Sequence, residues 1–411
     1  MPILLEEDLQ RPLPRMYRVR QQFDETRLED VAGTVRAELA KPEIRALVKP
    51  GMRIAVGVGS RGIQNLYTIV ETTVNSLKEL GAEPFIVSPM GSHGGGTEEG
   101  QREVLAGYGI TEERLGVPVV TTVDTVYLGN CANGRPVWFD RAAYEADLIV
   151  PINRVKLHTD FVGPIQSGLC KMLVIGLGNH KGCSAVHEEA PEVFAGAIEE
   201  TARLILQKAP VGFGIAILEN AYDKTYAVEA VPAEHLVERE KELVQIAKGN
   251  MPYIMLDEAD VIVCGAIGKD ISGAGFDPNI LGRSSVLKQF VLHIPRYQRL
   301  VLCDVTPASH GNGIGVGLFD VITKKVAEQL DLESMYANAI ACNCLGDASV
   351  PCTVDDEETA IRVALKCCRN IDRDHPRIIR IQNTLHLGEI EVSEALLDAV
   401  RADSRMSLIE N

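Results

Sequence analysis

The chain has 411 residues, 46% of them hydrophobic and 24% charged, with a formal net charge of −16. That length and apolar content can bury two sizeable cores, while the acidic balance and the lack of a basic run argue against nucleic acid or anionic membranes as partners. The start MPILLEEDLQRPLP lacks a basic-then-apolar leader, and no apolar run approaches the ~20 residues of a membrane span, so a cytoplasmic location is expected.

In chain order, RIAVGV (53–58) reads as a buried strand, followed by the turn Gly59-Ser60-Arg61-Gly62. Leu66, Ile69, Val70, Val74, Leu77 and Leu80 then form one stripe of a helix over 66–80, with Asn65 as N-cap and Gly81 as its left-handed terminator. PFIVS (84–88), a weaker strand at 117–123 and ADLIVPI (146–152) follow. Helices are expected over 191–208 and 232–248, flanking a strand at 213–218. A second α/β series has strands at 260–265, 299–305 and 377–382. It also has YANAIACN (336–343) and helices near 319–330 and 356–369. The spacing predicts two α/β domains with largely parallel sheets and a site in the cleft between them. They should span 1–255 and 256–386, with the tail 387–411 able to pack back on the first.

Ten cysteines in a chain this long are not a disulfide scaffold. Cys342, Cys344, Cys352, Cys367 and Cys368 match no CxxC metal pair and read as reduced thiols.

The turn Gly57-Val58-Gly59-Ser60-Arg61-Gly62 has the form GxGxxG, but the next strand ends in Ser88-Pro89. A dinucleotide site wants an acidic residue there to hold the ribose, so NAD is not expected. Backbone amides at Ser60 and Gly62, with the Arg61 guanidinium, can still bind a phosphate or carboxylate. His93, in MGSHGGGTEEG, follows a strand and precedes three glycines that leave its imidazole uncrowded.

The segment KLHTDFVGPIQSGLCKMLVIGLGNHKGCSAVH places His158, Lys171, His180 and His187 among glycines and aliphatics. An apolar setting disfavours the lysine cation and makes the amine a nucleophile. Imidazoles there can move protons or bind a borderline metal. Taken singly, each histidine could equally be structural, and His180 reads as surface. No HExxH spacing supports a zinc hydrolase. In the second domain Lys269 and Arg283 are cations suited to a substrate carboxylate, and Gly311 to Gly317 could form an amide nest.

With these residues in view, the chain resembles the nickel-dependent lactate racemase family, which racemises or epimerises 2-hydroxy acids. The match is carried by Arg61 after the first strand, the Gly-x-His loop with its acidic pair, and the order His93, His158, Lys171, His187. The resemblance implies that His93 and His158 are the two proton-transfer residues, one for each enantiomer. It also implies that Lys171 covalently anchors a nickel-pincer nucleotide, that His187 binds nickel, and that Arg61 lies in the cofactor and substrate pocket. The reaction implied is reversible hydride transfer from the substrate α-carbon, with cofactor-biosynthesis proteins as partners. Two departures stand out. The family's acidic residue before the arginine is missing, because the turn reads Gly57-Val58-Gly59-Ser60. The glutamine and lysine that hold lactate's carboxylate are not at matching offsets either, so a substrate other than lactate is expected. Two other classes use the same residues: a Schiff-base lyase or aldolase acting through Lys171, and a family member that has lost nickel and only binds.

Overall fold

The computed structural model describes residues 4–59, 62–91 and 93–410. The chain divides into two compact units, Glu25–Met251 and a second made of Met1–Asp24 with Pro252–Asn411.

The first unit is built on a six-stranded sheet. Its order is Val119–Val120, Glu83–Val87, Arg53–Val58, Leu148–Arg154, Phe213–Glu219 and Thr225–Pro232. All neighbours are parallel except the last pair, which forms an antiparallel hairpin. Central strands such as Arg53–Val58 are buried from Ile54 to Val58, which is why they read as continuous apolar runs rather than alternating ones. The helix Leu66–Glu79 buries Leu66, Ile69, Val70, Val74 and Leu77. They pack with Ile54, Val56, Ile86 and Ile152 of the sheet in one core. Gly81 ends this helix at φ +83, donating to the Lys78 carbonyl at 2.9 Å, as a left-handed cap requires. Asn65 stands at the N-cap position but does not cap: its amide donates to Thr225 Oγ1 at 2.9 Å.

The second unit has an eight-stranded sheet. Cys352–Val354, Val321–Thr323, Arg299–Leu302, Val261–Cys264 and Ile378–Ile381 run parallel. Glu389–Ser393, Met16–Gln21 and Met406–Leu408 extend it antiparallel. By contact the first unit ends at Met251, and the strands Met16–Gln21 and Met406–Leu408, from the two ends of the chain, both belong to the second unit, whereas residues 1–24 were expected in the first. Met16–Gln21 and the tail strands Glu389–Ser393 and Met406–Leu408 complete the second sheet by satisfying one another's backbone groups. The helix expected over 319–330 opens with the strand Val321–Thr323 and turns helical at Lys324–Gln329. The helix expected over 232–248 is preceded by the strand Thr225–Pro232 and runs Leu236–Gly249. No helix among the described residues is long and apolar enough to cross a membrane.

Candidate active site

The strand Leu148–Arg154 feeds a loop that returns to the helical segment beginning at Leu169. Lys156 and Ser167 close that loop with reciprocal backbone bonds of 2.9 and 3.1 Å. Inside it, the buried Gln166 accepts from the His158 amide at 2.7 Å and donates to the Gly163 carbonyl at 3.2 Å. These contacts fix where His158 leaves the backbone. Lys171 is the third residue of the helical segment, and the turn after it, Met172–Gly176, is wound as a π-helix. Such single wide turns are frequent at functional sites. Helix resumes at Asn179 and ends with His187.

The fold brings three of the expected residues together. Lys171 Nζ lies 2.5 Å from His158 Nε2. The His158 ring stacks on Phe161 at 4.2 Å, Phe161 meets Phe194 at 4.8 Å, and Phe194 meets the edge of His187 at 5.1 Å. Two buried phenylalanines thus bridge the two imidazoles. His187 Nδ1 lies 2.7 Å from the Cys183 carbonyl, which can only accept, so Nδ1 carries the proton. Nε2 is then the lone-pair nitrogen in the neutral ring, the arrangement of a metal ligand held by a backbone carbonyl. His187 is exposed as a residue, and although desolvation of its ring opposes the charged form, the Cys183 contacts outweigh it and raise the pKa above the ordinary value.

The His93 loop lies against the same helical segment. The Gly91 N–H donates to the Gly176 carbonyl at 3.0 Å. Gly91 has φ +59, and a side chain there would meet the Ile175 carbonyl at 3.0 Å. A side chain at Gly176 would fall 2.6 Å from the Pro89 carbonyl, so both glycines are required for this approach. His93 itself is exposed. Thr97 then caps the helix Glu98–Gly107 through the Gly100 amide.

Ser60 and Arg61 lie outside the described residues. Their neighbour Gly59 touches the Lys171 segment: a Cβ there would come 3.0 Å from Met172 Cε and 3.5 Å from Asn153 Oδ1. Gly62 is exposed, with open space where a side chain would go. His180 is also exposed.

Lys269 and Arg283 belong to the second unit. Lys269 donates to the Gly273 carbonyl at 2.7 Å and bonds to Asn338. Arg283 pairs with Asp320 at 2.7 Å and donates to the Leu318 carbonyl at 2.9 Å. Both cations are engaged in holding their own unit together. The Gly311 to Gly317 stretch is likewise bonded within the unit, Gly315 donating to the Asp347 carbonyl at 2.9 Å.

Sequence reasoning missed Glu240, from the helix Leu236–Gly249. It is fully buried and caps the start of the Lys171 segment, accepting from the Cys170 amide at 2.9 Å. A side chain at Gly168 would fall 2.6 Å from the Glu240 carboxyl carbon, so glycine is needed for this contact. Seventy residues separate Glu240 from Cys170, and no local pattern announces the pairing. Burial pushes the Glu240 carboxyl up to about 7, against the hydrogen bonds from the Cys170 and Leu169 amides. A carboxyl raised in the fold binds its proton more tightly there than in the unfolded chain. Its contribution to stability is therefore full below the unfolded value, near 4.5, and is lost as pH rises towards about 7. Unfolding in denaturant should show Glu240→Gln weakening the parent's loss of stability between those values, by roughly 3 kcal/mol. Identical pH dependence in the two proteins would refute the raised carboxyl.

Residues 11–195 match the lactate racemase N-terminal domain, a stretch that contains His93, His158, Lys171 and His187. Among solved structures, the chain is similar to the lactate racemase apoprotein from Thermoanaerobacterium thermosaccharolyticum, with 13% identity and a TM-score of 0.53. The alignment covers 89% of this chain and 93% of that one. A protein from Thermotoga maritima also aligns, with 13% identity and a TM-score of 0.49, over 80% of this chain and 85% of the other. A search of curated proteins returned no match. The fold is the one seen in the lactate racemase apoprotein, and within it residues 11–195 are similar to the lactate racemase N-terminal domain.

Proposed function

We propose that this protein racemises or epimerises a 2-hydroxy acid other than lactate, using a nickel-pincer nucleotide. The observation that carries the reading is the assembly of His158, Lys171 and His187 around the Phe161 and Phe194 rings. The donor set fits the cofactor. Lys171 offers an amine for the covalent anchor, and His187 offers a single imidazole nitrogen for nickel. Among the described residues no group of three or more His, Cys, Asp or Glu side chains could hold a metal ion. Ser60, Arg61 and Gly62 are assigned to the nucleotide phosphate or the substrate carboxylate. When bound, the cofactor supplies a hydride acceptor for the substrate α-carbon.

The chain's own residues supply orientation and proton transfer. His93 and His158 exchange the substrate hydroxyl proton on opposite faces, and Phe161 shields one face of the His158 ring from water. Lys269 and Arg283 would serve as carboxylate readers only by leaving Asn338 and Asp320. We assign the activity to the cytoplasm, with the cofactor-making proteins as partners.

The test is protein produced in a host with pincer-nucleotide biosynthesis. Nickel should co-purify, and intact mass should show an adduct that peptide mapping places on Lys171. His187→Ala should lower nickel per chain several-fold while the adduct remains. Nickel content equal to the parent's would move the ligand to another residue. An amine beside an imidazole also suits Schiff-base chemistry. Trapping of a 2-keto acid by borohydride at Lys171, in protein active without nickel, would replace the racemase reading.

A further inference from the structure

The hydrogen bonds around His158 decide where the protons lie on Lys171. The Asp160 backbone N–H donates to His158 Nδ1 at 3.0 Å. A ring nitrogen that accepts cannot carry a proton, so neutral His158 has its proton on Nε2. That nitrogen faces Lys171 Nζ at 2.5 Å. A lysine ammonium has three donors and no acceptor, so it would set N–H against N–H at this contact. A neutral amine has a lone pair that accepts the Nε2 proton. From this we infer that His158, locked in one tautomer by the Asp160 amide, holds Lys171 as a neutral amine ready for acylation before any cofactor is present.

Other features support this placement. Lys171 is half-buried, beside the buried Met172 and Cys170. The buried Glu240 carboxyl accepts from the adjacent Cys170 amide and so fixes the start of the segment that carries Lys171. Phe161 stacks on the His158 ring and holds its plane. His158 thus has two successive duties. Once Lys171 is acylated, its nitrogen lone pair is delocalised into the new amide-like group and no longer accepts. The Nε2–H is then released to face substrate. The inference deepens the proposed role of Lys171 as an anchor, but its test needs neither nickel, nucleotide nor substrate, so the two can fail separately.

An ordinary lysine is neutral in roughly one molecule in 2,500 at pH 7, so a lysine held neutral should stand out in reactivity. The probe is limiting acetic anhydride at pH 7 on cofactor-lacking, folded full-length protein, read by peptide mass spectrometry. In the labelling step the Lys171 nitrogen attacks an anhydride carbonyl carbon. The N–C bond forms, acetate leaves with the C–O bond electrons, and the surplus nitrogen proton passes to buffer. Lys171 should be acetylated at least about ten-fold faster than Lys181, which is exposed on the same helical segment. His158→Ala should bring Lys171 down to the rate of Lys181. His158→Gln, whose amide N–H can replace the Nε2 donor, should keep most of the excess, separating hydrogen-bond donation from a fold defect. Parent Lys171 reacting no faster than Lys181, or an unchanged excess in folded His158→Ala, would overturn the inference.

Discussion

Lys171→Ala is expected to abolish turnover, by more than about 10³-fold, and to abolish cofactor retention, while the protein stays folded. The size of the effect follows from covalency. A cofactor joined to the chain is not lost by dilution, and without the join its affinity must come from weaker contacts alone. The modest effect on stability follows from position. Lys171 is half-buried near the start of a helical segment whose capping group, Glu240, reaches the neighbouring Cys170 amide rather than the lysine. Alanine is a better helix former than lysine and leaves that cap intact. Lys171→Arg should lose the adduct as completely as alanine, since a guanidinium is not deprotonated near neutral pH. Mass spectrometry, nickel analysis and a thermal melt on the three proteins check the result. An adduct persisting in Lys171→Ala would place the anchor on another residue.

The legible parts of this fold are those with strong local periodicity. The strand Arg53–Val58 and the helix Leu66–Glu79 announce themselves, because one is buried on both faces and the other carries a clean apolar stripe. The hairpin Thr125–Asn130 with Pro136–Asp140 escaped notice. Its first strand has no fully buried position and so no alternation to read. Val321–Thr323 is too short to separate from the helix that follows. The placement of the two chain ends in one sheet is set by pairing between Met16–Gln21 and Glu389–Ser393, hundreds of residues apart, which no local pattern encodes. The candidate site was legible for the opposite reason. His158, Lys171 and His187 lie in one stretch of thirty residues, so one loop and one helical segment suffice to gather them. Their supports were not. Glu240 comes from a distant helix, and the Asp160 amide that sets the His158 tautomer is a backbone group without any sequence signature.

The second large effect is expected from the two histidines assigned to proton transfer. Racemisation needs one hydroxyl proton removed on one face and one delivered on the other. His93→Ala and His158→Ala should therefore each slow both directions by about 100-fold or more, the usual contribution of a positioned acid–base residue. Partial reactions separate the roles. Starting from each enantiomer in turn, acid-quenched single turnovers should yield 2-keto acid from one enantiomer in one mutant and from the other enantiomer in the second. The present arrangement adds a condition on His158. With Nδ1 accepting from the Asp160 amide, its Nε2 already bears a proton and cannot take another. To act as a base, the residue must first lose that contact by a shift of the 158–160 turn. The loop that carries His93 is docked by a different contact, backbone to backbone, from the Gly91 N–H to the Gly176 carbonyl. The two mutants should consequently differ in a way that a symmetric pair would not. Asp160→Pro deletes the amide donor, and in the acid-quenched single turnovers it should alter 2-keto acid formation from the His158-dependent enantiomer while leaving that from the other within about two-fold. Parental rates in either alanine variant, on a substrate that the parent turns over, would remove that histidine from the proton-transfer pair.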